Sequence, residues 1–262
     1  MQFNNLVASS AFASQRINEF SFTINYSDYI VMPKSVSLSK CVIPNTMLSF
    51  RPNQTSLYIS FLGSTYQVVV PNGYYDTMTE FIPVLTTAIQ DQVSGEFIFS
   101  YNVAYESLQL TNTANHAFTI LPYSYSPNSI NRRLGFDQNF GYASFDEDSD
   151  QVVRATGLCR LARTSGFFIV SNLVPFNNYT CGPNNINNII DFVPIELTNL
   201  AYGDSIVIIN TNISQNQVKL PQNELYNATS QFTFQILDDE LQPIEDADKG
   251  QNTILFFNLD YD

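Results

Sequence analysis

The chain has 262 residues, 44% of them hydrophobic, so it exceeds the usual domain length of roughly 100–150 residues and can bury a substantial core. Twenty-four acidic against eleven basic residues leave a net charge of -13, a field that repels nucleic-acid phosphates and anionic lipid heads and argues against broad nucleic-acid binding. No run approaches the roughly 18 apolar residues of a membrane span, and Met1-Gln2-Phe3-Asn4-Asn5 has no basic segment leading into an apolar one, so the chain reads as soluble and not secreted.

The 21 Phe and 15 Tyr, set among many Val, Ile, Thr, Asn and Ser, favour strands, turns and long connections over helices. Residues 1–16 are small and polar and show neither helical nor strand periodicity, which predicts an N-terminal arm. From Asn18 an alternation begins, with Phe20, Phe22, Ile24 and Tyr26 on one face, and ends at Pro33; a second runs through Val36, Leu38 and Val42 to Pro44. Residues 57–62 and 66–70 flank Gly63-Ser64 and predict a tight II′ hairpin. One helix follows, with capping-box spacing at Thr77 and Glu80 and an apolar stripe of Met78, Phe81, Ile82, Leu85 and Ile89. Pro83 leaves its start open between Thr77 and Thr79 as N-cap.

Strand signals at Phe97–Asn102, Ser107–Thr111 and Phe118–Leu121 complete an α+β piece, and an acidic loop, Asp146-Glu147-Asp148-Ser149-Asp150, comes next. Further strand signals lie at 152–161, 166–172, 187–197, 205–210, 230–238 and 253–261. With the two opening strands they make eight. The expected fold is therefore all-β, a single jelly-roll β-sandwich of eight antiparallel strands with an inserted small α+β segment between the second and third. The expected boundaries are 1–16 for the arm, 17–56 with 150–262 for the jelly roll, and 57–149 for the insertion and its acidic loop.

Little points to catalysis. His116 is the single histidine, and Asn115-His116-Ala117-Phe118 offers no neighbouring carboxylate or second histidine. No nucleophile elbow, phosphate-binding loop or dinucleotide fingerprint occurs. Asp146, Asp148 and Asp150 open like a calcium loop, but Gln151 and Gly157 stand where the turn glycine and bidentate glutamate belong. Cys41, Cys159 and Cys181 are odd in number and widely spaced, which suggests free thiols acting as small hydrophobes. Neither a cofactor nor a metal is expected, and the chain is read as a non-enzyme.

Three segments resemble, in order, the penton or minor-capsid proteins of virophages, Polinton-like elements and related large DNA viruses: Val42-Ile43-Pro44-Asn45-Thr46; Val70-Pro71-Asn72-Gly73-Tyr74-Tyr75 before the helix, with Leu134-Gly135-Phe136 after it; and the C-terminal half, from Ile195 through Gly203-Asp204, then Phe234–Asp238, then Thr253–Leu259. The resemblance implies a virion protein, made in the host cytoplasm or a virus factory, whose five copies close a ring at a capsid vertex. Its implied partners are its own copies, the major capsid protein, and further minor capsid proteins or a vertex spike. It also implies an assembly arm comprising Met1, Gln2, Phe3, Asn4, Asn5, Leu6, Val7 and Arg16, and an outward-projecting insertion. No Arg-Gly-Asp triplet is present, so integrin binding is not implied. A β-sandwich fibre head or carbohydrate- or receptor-binding module would share the strand pattern and stays open, as does, more remotely, a β-sandwich hydrolase with two carboxylates facing across a groove.

Overall fold

A computed structural model describes residues 5–30, 33–136, 151–162, 164–174, 188–195, 203–210, 217–219, 229–244 and 250–261. In chain order the strands are β1 (Asn5–Ser9), β2 (Gln15–Asn18), β3 (Ser21–Ile30), β4 (Ser35–Pro44), β5 (Ser56–Phe61) and β6 (Ser64–Val69). Helix α1 (Met78–Gln92) precedes β7 (Phe97–Asn102), β8 (Ser107–Asn112), β9 (Phe118–Ile120) and β10 (Gln151–Arg154). The remainder are β11 (Gly166–Ser171), β12 (Ile189–Pro194), β13 (Ser205–Ile209), β14 (Val218–Lys219), β15 (Thr229–Leu237) and β16 (Ile254–Asp260). The chain divides into two units, residues 1–47 with 164–262, and residues 48–163.

In the first unit two antiparallel five-stranded sheets run in the orders β1-β16-β4-β13, with β14 also on β4, and β12-β11-β15-β3-β2. Setting aside the short β2 and β14 leaves eight strands whose pairing is nested from the outside in. The first pairs with the eighth (β1 with β16), the second with the seventh (β3 with β15), the third with the sixth (β4 with β13), and the fourth with the fifth (β11 with β12). That nesting defines a jelly roll. The period-2 pattern supplies its core: Phe22 and Phe234 face each other in one sheet with ring centroids 5.6 Å apart, and Phe234 stacks at 5.6 Å on Phe257 of the other.

Two expectations are corrected here. Asn5–Ser9 is not part of a free arm but the first jelly-roll strand, in register with residues 254–258 and with Leu6 and Ala8 buried. Its inward positions are too few, and Ala8 too small, to announce a strand locally, and its partner lies at the other end of the chain. Conversely, the strand expected at 152–161 is β10, which pairs with β8 in the second unit (Val153 opposite Leu110) and buries Val153 in that unit's core. The inserted unit therefore follows the third jelly-roll strand rather than the second, and spans 48–163 rather than 57–149. The acidic loop at 146–150 lies outside the described residues.

The inserted unit holds two three-stranded sheets, β6-β5-β9 and β10-β8-β7, and α1. Its core is aromatic: Phe97 meets Phe61 and Phe118 edge-on at 5.0 Å each, and Phe81 of α1 packs on Phe50 at 5.5 Å and Tyr75 at 4.9 Å. Thr77 is the N-cap, its hydroxyl accepting from the Glu80 N–H at 3.3 Å, so Pro83 sits inside the helix as its sixth residue. Thr79, whose carbonyl would have received the missing Pro83 N–H, is exposed and open to solvent. The hairpin forms, but Phe61 pairs with Ser64, so the two-residue loop is Leu62-Gly63. Both residues have positive φ, 48° and 78°, which makes the turn type I′ rather than II′.

Candidate assembly surface

Of the residues expected in the assembly arm, Met1, Gln2, Phe3 and Asn4 lie outside the described residues. Asn5, Leu6 and Val7 are brought together in β1, Leu6 pointing into the core and Val7 outward. Arg16 lies on β2, in the other sheet, where its guanidinium donates to the Gln251 carbonyl at 2.7 Å and to Asn252 Oδ1 at 3.3 Å.

The segment between them is fastened repeatedly. Ser10 donates its backbone N–H to the Thr253 carbonyl at 3.0 Å, and its hydroxyl accepts from the Thr253 N–H at 3.0 Å. The Tyr26 hydroxyl donates to the Val7 carbonyl at 2.8 Å, and burial pushes that phenol up to about 12. The Asn18 amide donates to the Ile244 carbonyl at 2.9 Å while its Oδ1 accepts from the Phe20 N–H at 2.9 Å. Glu19, fully buried in the β2–β3 turn, accepts from the Thr46 hydroxyl at 2.6 Å. These bonds hold β1, β2 and the turn between them as one rim, from which Phe12 and Ile17, each 82% exposed, project into solvent. Reading residues 1–16 as an arm hid Phe12, which stands with Ile17 on a fixed edge.

The segments carrying the resemblance are structural clamps. Asn45, after the Ile43-Pro44 step, donates its N–H to the Asp204 carbonyl at 2.7 Å and accepts from Gly203 at 2.8 Å. In the Pro71–Tyr75 turn, the Gly73 carbonyl and the Tyr75 N–H are held by the Ser49 backbone N–H and hydroxyl at 2.8 and 2.9 Å. Asp238, fully buried after β15, accepts from the Glu240 and Gln242 N–H groups at 3.0 Å each and shapes the acidic turn.

Elsewhere the titratable groups serve packing. His116 is exposed and lies 6.2 Å from the Phe61 ring. Burial pushes the Cys41 and Cys159 thiols up to about 12, which leaves them protonated and poor nucleophiles at neutral pH. Asp191 on β12 is pushed up to about 6 by burial, against the opposing hydrogen bonds from the Phe192 N–H and the Asn210 amide. Among the described residues no three His, Cys, Asp or Glu side chains gather as metal ligands would.

No protein-family model and no curated protein matches the sequence. Among solved structures, the chain superposes on the mavirus penton protein over 98% of its own length and 99% of that chain, with a TM-score of 0.54 and 16% identity. The jelly-roll fold is that of a virophage penton protein. A chain in the cryo-EM structure of the Sputnik virophage also aligns, over 98% of both chains, with a TM-score of 0.41 and 14% identity. The match to the mavirus penton runs through both units, so it includes the inserted α+β unit as well as the nested strands.

Proposed function

We propose that this chain is a penton-type structural protein of an icosahedral virus particle, five copies of which close a ring at a capsid vertex and meet capsomers of the major capsid protein. The observation carrying this reading is that this chain, an eight-stranded nested sandwich interrupted after its third strand by an α+β unit, is alike end to end to the mavirus penton protein. Such a protein works by shape and edge complementarity, with no bond made or broken, which agrees with polar side chains spent on turns and clamps. In this reading the N-terminal segment contributes to assembly through the rim formed by β1 and β2, with Arg16 fixed there. The inserted unit projects outward, and further minor capsid proteins or a vertex spike are additional partners. A net charge of -13 keeps the protein off the packaged genome.

Light scattering of the purified chain, with negative-stain images of any oligomer, tests this directly. A five-fold ring is the expected result. A trimer would overturn it in favour of a fibre-head or receptor-binding module. A monomer that also fails to enter particles when co-expressed with the major capsid protein would overturn it as well.

A further inference from the structure

A closed ring of identical copies needs two different patches on each copy, placed on opposite sides and complementary to each other, because each subunit meets its two neighbours through different surfaces. The jelly-roll unit has two such patches. Its sheet orders put β1 and β2 at one lateral edge of the sandwich and β13 and β12 at the other. Asn210 reaching Asp191 ties that second edge together across the sheets, as Tyr26 reaching Val7 does near the first.

Among the described residues, the exposed large hydrophobic side chains of this unit number six, and they divide evenly. Val7, Phe12 and Ile17 stand on β1, β2 and the turn between them; Phe192, Val207 and Ile209 stand on β12 and β13. Among the side chains described, none stands on the central strands β16, β4, β11, β15 or β3. In a soluble monomer such side chains would be scattered, and uncharged, proline-free edges like Ser205–Ile209 would be blunted against pairing. Charge is sparse on both edges: Arg16 is the single charged residue of 5–18, and the second edge carries one charge of each sign, Asp191 on β12 and Lys219 on β14, which continues β13 along the same side of β4.

We infer that the β1–β2 edge of one copy docks against the β12–β13 edge of a second copy, head to tail, with Phe12 and Ile17 packing on Val207 and Ile209. The inference rests on the vertex reading only for the count of five; the pairing of unlike edges stands on the distribution of exposed apolar side chains.

The test uses the full chain carrying Ile17→Asp or Val207→Asp, both at positions more than half exposed in the monomer, followed by light scattering, with circular-dichroism melts to verify folding. Each variant alone is expected at monomer mass. An equimolar mixture is expected at dimer mass, because the two intact edges pair and the two acidic ones cannot extend the chain. If either variant proves unfolded, Phe12→Asp and Ile209→Asp replace the pair. Wild-type rings that persist in both variants overturn the edge assignment while leaving the ring intact. Variants that remain monomeric when mixed also overturn it, because a like-to-like interface gives no such rescue. A wild-type trimer broken by both substitutions upholds the edges and overturns the five-fold count. A wild-type chain still monomeric at about 100 µM, a concentration that detects association worth ~5.5 kcal/mol, overturns the edges as a self-interface.

Discussion

Gly135 occupies a left-handed backbone conformation at φ 81°, and its carbonyl accepts from the Gly157 N–H at 2.8 Å. A Cβ at this position would overlap the Gly157 carbonyl, which is backbone and cannot swing aside. The Leu134-Gly135-Phe136 step thus has a steric reason for its glycine: Leu134 and Phe136 fill the core while the residue between them touches the returning chain. Gly135→Ala is expected to cost about 3 kcal/mol or more, combining positive-φ strain with backbone overlap, and a urea denaturation midpoint close to wild type would refute this. Asp191 makes a second prediction. Its folded pKa, raised from 3.8 to about 6, means that between those values the unfolded chain has released a proton the folded chain still holds. Stability is therefore fully present below pH 3.8 and falls as pH rises toward about 6. The side chain is not fully shielded from solvent, which limits the loss to about 1–2 kcal/mol. Asp191→Asn should flatten this descent in denaturation midpoints measured from pH 4 to 7, and an unchanged pH profile would show that another group causes it.

At the level of elements, β1 carries the largest change in interpretation. A segment without core periodicity would be dispensable for folding, whereas a first jelly-roll strand is not, since its loss leaves β16 an exposed edge and uncovers the core beneath Leu6 and Ala8. Leu6→Ala is expected to lower stability by about 2–4 kcal/mol, and deletion of residues 1–9 to prevent a cooperative melt. A truncated chain melting like wild type would return this segment to the status of a free arm. Helix α1 shows the opposite case. Its cap, Thr77, and its buried stripe, Phe81, Leu85 and Ile89, are local in sequence and follow from spacing alone, and only the place of Pro83 within it needed the fold.

For the molecule as a whole, the two large hydrophobic clusters are drawn from separate stretches of chain. The jelly-roll core uses residues up to Met47 and from Phe167 onward, and the inserted core uses Phe50 through Leu161. The insertion therefore owns a complete core of its own, with two sheets, a helix and an aromatic centre. Residues 48–163 expressed alone are expected to fold and melt cooperatively, which far-UV circular dichroism and dispersed amide NMR signals would establish; a fragment without a melting transition would show that its core depends on the jelly roll.

The sequence by itself determined what short-range physics controls. The all-β class follows from the alternation at Phe20–Tyr26 and Ile254–Leu259, the single helix from the stripe after Thr77, and the sandwich with an α+β insertion from the order of those signals. Only the tertiary structure decided which strands belong together. Val153 and Leu6 both sit in short, weakly patterned strands, and each is assigned by a partner distant in sequence, Leu110 in one case and Phe257 in the other. The exposed edges were equally hidden, because Ile206-Val207-Ile208-Ile209 reads as a strand buried on both faces. Its place at the end of a sheet, set by pairing with β4 alone, is what leaves Val207 and Ile209 in solvent. Strand pairing is a long-range choice made by summed burial over the whole core, and no window of local sequence contains that sum.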